Sequence, residues 1–153
     1  MSDGPGDSPS VVGRGDCKDD LLHENHGRLG LRVARAYDLD AMIAGLASHG
    51  ACPRGLLILG TGEFAHPPFR LARRLEELGY EVHFQSTTRS PLLVDGDLTS
   101  VLEFTDNYGD AMPNYVYNVA DRRYDRVLIG YETRPLPPEH TLPAMLNAQV
   151  VYF

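Results

Sequence analysis

Four short polar segments in this chain each follow a run of apolar residues, which is where open α/β sheets place their ligand-binding loops. These segments are residues 61–64, 86–91, 105–110 and 132–135. Because the carboxyl ends of parallel strands meet at one edge of a sheet, the four segments should converge there if the strands are parallel. The spacing therefore predicts one binding site built from several loops.

The first segment offers backbone donors to an anion. Thr61 and Gly62 lie in a glycine turn just before a predicted helix, and the N–H groups at the start of a helix attract negative charge. The turn has neither the Lys-Ser/Thr pair of a Walker A loop nor a full G-x-G-x-x-G pattern. A tight turn that only needs glycine geometry is the alternative interpretation.

The second segment surrounds the guanidinium group of Arg89 with hydroxyl groups. These hydroxyl groups belong to Thr87, Thr88 and Ser90. Guanidinium and hydroxyl groups are good donors to phosphate and carboxylate. We expect this segment to bind the charged group of a ligand, the alternative being a solvated polar turn before Pro91.

Four further residues, three of them acidic, predict other contacts with the same ligand. Asp106 and Asn107 could hold ribose hydroxyl groups or a Mg²⁺ ion. The alternative is an Asx turn, with Asp110 as the N-cap of a helix. Glu63 and Glu132 are the candidates for a general acid or base.

Neither the cysteines nor the first histidine pair predicts a metal centre made of protein ligands. Cys17 and Cys52 lack metal-binding or redox spacing, and His23 and His26 lack a third ligand. The cofactor is therefore left open, with Mg²⁺ as a candidate.

Hydrophobic periodicity predicts the elements that position these segments. Strands are predicted over 55–60, 80–86, 126–131 and 149–153. Helices are predicted over 36–47, 67–78, 113–120 and 142–147. Residues 92–94 and 98–104 flank Asp95-Gly96, which predicts a hairpin with a type I′ turn. Together they predict an α/β fold, a three-layer Rossmann-like domain with a mostly parallel sheet and one Asp-Gly hairpin.

The composition limits the size of the domain and its partners. Gly, Pro, Ser and Asp fill 14 of the first 20 positions of the 153-residue chain. We therefore expect residues 1–22 to be a flexible leader and residues 23–153 to be the folded domain. The net charge of −7 argues against a nucleic-acid ligand. No apolar run is long enough to span a membrane and no secretion signal is present, so a cytoplasmic protein is expected.

The polar segments and their surroundings resemble the TRSP-domain family, which is named for the run Thr88-Arg89-Ser90-Pro91. The resemblance covers about residue 23 to the C-terminus, and the run of eight from Phe84 to Pro91 is its most specific part. The matching motifs are His26-Gly27-Arg28-Leu29-Gly30-Leu31, Leu59-Gly60-Thr61-Gly62-Glu63-Phe64, Pro67-Pro68-Phe69, Phe84-Gln85-Ser86-Thr87-Thr88-Arg89-Ser90-Pro91, Asp106-Asn107-Tyr108-Gly109-Asp110 and Tyr131-Glu132-Thr133.

This resemblance implies a partner and a class of ligand. In that family the domain typically follows a bacterial phosphoribosyltransferase domain, in gene clusters linked to tellurite and stress responses and thought to make a nucleoside-like compound. It implies binding of a ribose-phosphate or nucleotide-like metabolite, and any activity would be of the phosphoribosyl- or glycosyltransferase type. The alternative is a non-catalytic regulatory or docking module. No transferase domain precedes residue 23 here, so we expect either a separate transferase chain or a split form.

Overall fold

The computed structural model of the protein describes residues 11–12, 37–47, 55–132 and 134–153. Several features singled out in the sequence lie outside these residues. They are Cys17, Cys52, His23, His26, most of the proposed leader, the motif at 26–31 and Thr133.

The described elements alternate between strands and helices for most of the chain. In chain order they are β1 (Val11–Val12), α1 (Leu39–Ala47), β2 (Leu56–Gly60), α2 (His66–Glu77), β3 (Val82–Ser86), β4 (Val101–Thr105), β5 (Pro113–Tyr117), β6 (Arg126–Tyr131), α3 (Leu142–Met145) and β7 (Gln149–Tyr152). Strands β1, β7, β6, β2 and β3 form one sheet in that order, and all the neighbouring pairs are parallel. Strands β4 and β5 form a separate antiparallel pair.

The two central strands are apolar throughout because both faces of the sheet are covered. Ile58 of β2 faces α1 and α2, where it packs with residues such as Leu71 and Leu75. Its neighbour Leu57 faces the opposite side, which is covered by the β4–β5 pair and by α3. Strands buried on both faces need such continuous apolar runs, so the strand predictions over 55–60 and 126–131 are confirmed.

The two longer helices begin as their sequences predict. Asp38 caps α1, since its Oδ1 accepts a hydrogen bond from the N–H of Ala41 at 3.0 Å. Pro67 and Pro68 lie in the first turn of α2, where proline removes no helical hydrogen bond. The chain leaves this helix at Gly79, which has a φ of 91°, a conformation that glycine adopts without strain.

The predicted Asp-Gly hairpin is not formed. Asp95 and Gly96 do make a turn, closed by a 3.1 Å bond from the N–H of Leu98 to the carbonyl of Asp95. Residues 92–94, however, are not a strand, and the partner of β4 is β5. The strong local turn signal therefore marks a turn without the strand pairing that would make it a hairpin.

The predicted helix over 113–120 is also wrong, because Pro113–Tyr117 forms strand β5. The helix was expected from Asp110 as a cap and Pro113 at the first position. Residues 113–117 instead form an extended segment, with Asn114, Val116 and Tyr117 buried, and pair in register with β4. Tertiary pairing has outweighed the local signals. The α/β class and mostly parallel sheet are confirmed, and the three-layer Rossmann-like arrangement stays a prediction.

Candidate functional site

The sheet has a topological switch point between β2 and β6. Strand β2 leads through α2 to β3 on one side, and β6 leads through α3 to β7 on the other. The connections diverge from the carboxyl ends of β2 and β6, which leaves a crevice where α/β proteins bind ligands. Gly60 and Gly130 are register partners there, and the hydroxyl of the buried Thr61 donates to the Gly130 carbonyl at 3.0 Å.

Both glycines at the switch point allow a close approach of the chain to the sheet. A Cβ atom on Gly130 would lie 2.4 Å from Cγ of Pro68, in the first turn of α2. A Cβ atom on Gly60 would lie 2.9 Å from Cα of Ala65. The start of α2 can therefore lie directly over this edge only because two side chains are missing.

Hydrogen bonds join the loop after β2 to the loop after β3. The N–H of Gly62 donates to Oγ1 of the buried Thr87 at 2.8 Å. In return the hydroxyl of Ser86 donates to the Gly62 carbonyl at 2.9 Å. The Gly62 N–H, predicted as an anion donor, is therefore already engaged, whereas the Thr87 hydroxyl donates to no other residue that the structure describes.

The segment 87–92 is fixed on its other side by strand β5. Thr88 and Tyr115 exchange backbone hydrogen bonds of 2.9 and 2.7 Å. The hydroxyl of Tyr117 donates to the Ser90 carbonyl at 3.0 Å and accepts from the N–H of Leu92 at 2.6 Å. The exposed side chain of Arg89 therefore extends from a backbone that is held at both ends.

Asp106 shapes the loop between β4 and β5. Its buried carboxylate accepts four backbone hydrogen bonds of 3.0 to 3.2 Å, from the N–H groups of Tyr108, Gly109, Asp110 and Met112. Burial alone would raise the pKa of Asp106, but the four donors favour the carboxylate and hold the pKa below its ordinary value. The contacts give this side chain a loop-organising role within the protein.

The three loops enclose one pocket of about 290 Å³ at the carboxyl edge of the sheet. Its lining includes residues from the loop after β2, from the Thr-Arg-Ser segment and from the β4–β5 connection. The lining residues are Gly62, Glu63, Thr87, Thr88, Arg89, Ser90, Asn107, Tyr108 and Asn114.

Seven of the ten residues singled out in the sequence line this pocket. The other three lie behind the lining: Thr61, Asp106 and Glu132. Thr61 bonds to β6 and Asp106 to its own loop. Glu132 accepts a hydrogen bond from the hydroxyl of Tyr108, which is itself a lining residue.

The pocket has two exposed charged side chains, which lie on different loops. Arg89 forms no ion pair within the described part of the chain, and it is exposed beside three hydroxyl-bearing residues of its own segment. Glu63 is also exposed, on the loop after β2. The pocket thus offers a cation with hydroxyl donors from one loop and a carboxylate acceptor from another.

His140 supports the β4–β5 connection and was not singled out in the sequence. Its Nδ1 lies 2.6 Å from the Thr105 carbonyl, and its Nε2 lies 2.6 Å from the Tyr131 hydroxyl. A carbonyl only accepts, so Nδ1 carries the hydrogen and the neutral ring accepts the tyrosine hydroxyl at Nε2. Burial lowers the pKa of His140 and raises that of Tyr131, which favours this neutral arrangement.

Two lining residues, Tyr108 and Asn114, were also missed as site residues. Asn114 was assigned to a helix, so its strand position beside the pocket could not be seen. For Tyr108, the sequence signal that could have indicated a site residue was its position within the polar segment 105–110. Among the residues that the structure describes, no group of three or more His, Cys, Asp or Glu side chains could hold a metal ion. No described helix is long and apolar enough to cross a membrane.

Comparison with known proteins gives one match. A family model described as "TRSP domain C terminus to PRTase_2" matches residues 25–148, which include every lining residue of the pocket. No curated protein and no solved structure matches the chain.

Proposed function

Because the chain belongs to the TRSP-domain family, we propose that it acts with a phosphoribosyltransferase and binds a ribose-phosphate or nucleotide-like metabolite in the pocket. The observation that carries the proposal is the shared pocket of the three loops. The family description supports the partner, since it places the domain C-terminal to a phosphoribosyltransferase domain.

The phosphate group of the ligand binds the segment 87–90 in this proposal. Arg89 supplies a charge without an ion-pair partner among the described residues, and the hydroxyl groups of Thr87, Thr88 and Ser90 supply further donors. Charge-assisted hydrogen bonds from guanidinium to phosphate are among the strongest that proteins make. A phosphate bound to this segment does not need the Gly62 N–H as a donor, which already donates to Oγ1 of Thr87.

The sugar part of the ligand lies toward Glu63 and Asn107. A carboxylate repels phosphate but accepts hydrogen bonds from hydroxyl groups, so Glu63 suits the ribose. The volume of about 290 Å³ lies just below the range of about 300 to 1,000 Å³ that ligand pockets usually span. This size favours a single phosphorylated sugar or mononucleotide over a dinucleotide.

Glu63 is the better placed of the two acid or base candidates. It lines the pocket, whereas Glu132 is buried behind Tyr108 and reaches the ligand only through that hydroxyl group. In a phosphoribosyl- or glycosyl-transfer reaction Glu63 would contact the sugar and Glu132 would position Tyr108. Asp106 keeps its loop-organising role in this reaction. A Mg²⁺ ion would enter bound to the phosphate of the ligand.

A second function, a non-catalytic docking module, is favoured by one observation. The segment directly after Ser90 exposes apolar side chains, and Leu93 is 84% exposed. Exposed apolar residues beside a pocket are typical of surfaces that bind another protein. In either case we place the domain in the cytoplasm, in the tellurite- and stress-linked synthesis of a nucleoside-like compound that the family resemblance implies.

Calorimetric titration and a turnover assay test the proposal and separate the two functions. The full chain is titrated with ribose 5-phosphate, phosphoribosyl diphosphate and nucleoside monophosphates, and then assayed for turnover with a phosphoribosyltransferase. Binding with turnover supports the enzyme, and binding without turnover supports the module. Absence of binding to all of these ligands would contradict the proposed site.

A further inference from the structure

We propose that Asn107 determines which phosphorylated ligand the pocket accepts, by donating from Nδ2 to a hydroxyl oxygen of the sugar. This inference depends on the proposed function. The side chain of Asn107 is only 6% exposed, it lines the pocket, and its Nδ2 is buried without a hydrogen-bond partner among the described residues. This Nδ2 is closed to solvent, and proteins satisfy nearly all buried polar atoms. A turn of the side chain toward the pocket would pair this donor with an oxygen of the ligand.

The loop fixes the backbone on both sides of Asn107 before any ligand binds. Its neighbour Asp106 accepts four backbone hydrogen bonds across the loop. Its other neighbour, Tyr108, bonds through its hydroxyl to Glu132. A residue whose backbone is fixed on both sides loses little backbone freedom on binding, and such preorganisation strengthens recognition.

Asn107 reads a different part of the ligand from Arg89. Asn107 lies on the connection between β4 and β5, whereas Arg89 lies on the loop after β3. Asn114, another lining residue, donates one of its two Nδ2 hydrogens to the Met112 carbonyl at 3.2 Å and has its acceptor Oδ1 left for a ligand. A donor from Asn107 with acceptors from Asn114 and Glu63 suits sugar hydroxyl groups, because each hydroxyl both donates and accepts.

The test compares two ligands that share a phosphate but differ in the sugar. The full chain and an Asn107→Leu variant, which keeps the size but removes the donor, are titrated with inorganic phosphate and with ribose 5-phosphate. Gln149→Leu is the control, since Gln149 also has a buried Nε2 without a partner but does not line the pocket. We expect Asn107→Leu to weaken ribose 5-phosphate about tenfold, as loss of one hydrogen bond does, and to leave phosphate within about twofold.

No loss for either ligand would overturn the role of Asn107 and leave phosphate binding at Arg89 intact. Equal losses for the two ligands would also overturn it, because Asn107 would then act on the phosphate part that they share. A wild-type chain that binds neither ligand would overturn the proposed function and this inference with it. A spectroscopic measurement keeps the test valid if the variant does not fold. The side-chain amide resonances of Asn107 in the wild-type protein should shift with ribose 5-phosphate and not with phosphate, and unshifted resonances would contradict the inference.

Discussion

The backbone N–H of Gly62 donates to Oγ1 of Thr87 across 2.8 Å. This bond joins the loop after β2 to the loop after β3, so the glycine turn and the Thr-Arg-Ser segment form one wall of the pocket. Thr87 is buried, so its side chain stabilises this wall of the pocket. Arg89 and Ser90, on the same segment, are exposed and line the pocket.

Replacement of Thr87 should loosen this wall. In Thr87→Val the shape is kept but Oγ1 is lost, which leaves the Gly62 N–H without its acceptor. We expect the free energy of unfolding to fall by about 1–3 kcal/mol, measured by urea denaturation, and ribose 5-phosphate to bind more weakly. Thr87→Ser keeps the hydroxyl and should stay within about 1 kcal/mol of the wild type. Destabilisation by Thr87→Ser with none by Thr87→Val would show that the methyl group, and not this hydrogen bond, is important.

Gly130→Ala should destabilise the protein by overpacking. The new Cβ would lie 2.4 Å from Cγ of Pro68 and 3.0 Å from the ring of Phe153. We expect a loss of about 1–3 kcal/mol in the free energy of unfolding. In a Pro68→Ala background the closest atom is gone, so the same substitution should cost less. A cost that is unchanged by Pro68→Ala would contradict the contact as the cause.

His140 should make stability depend on pH. Burial lowers its pKa in the folded protein, although the nearby Asp106 and the Thr105 carbonyl act in the opposite direction. The unfolded chain, with a histidine pKa of about 6.5, therefore binds more protons than the folded one as the pH falls below that value. The His140 contribution is fully present above about pH 6.5 and is lost as the pH falls toward the lower folded pKa.

His140→Gln removes this titration while keeping a polar side chain. Denaturation at several pH values should show a smaller dependence on pH, between about pH 5 and 7, for the variant than for the wild type. The same slope in both proteins would mean that the neutral ring between Tyr131 and Thr105 does not control the effect.

The sequence predicted the two central strands of the sheet because their apolar runs match burial on both faces, whereas β1, which pairs with β7, lies in the segment expected to be a flexible leader. Leu56–Gly60 and Arg126–Tyr131 need no distant information to be recognised. The pairing of β4 with β5 depends on contacts between separate segments, and neither Asp95-Gly96 nor Asp110 encodes them. Local turn and capping signals therefore indicated a hairpin and a helix that the fold does not contain.

The candidate site was predicted in part for the same reason. Polar loops after strands are visible as sequence patterns, and seven of the ten chosen residues line the pocket. The pattern could not show that Asp106 bonds to its own loop or that Glu132 lies behind Tyr108. Those roles depend on where a side chain points once the backbone has turned, as does the position of Asn114.

Phosphate binding at Arg89 is the central claim, and titration of an Arg89→Ala variant with ribose 5-phosphate tests it most directly. The control is Arg123→Ala, an exposed arginine before β6, at the amino end of that strand. We expect Arg89→Ala to lose about 1.5–3 kcal/mol of binding free energy, the cost of a hydrogen bond to a charged group, while Arg123→Ala binds as the wild type does. An affinity unchanged by Arg89→Ala, or lowered equally by both variants, would contradict an anion site in this pocket.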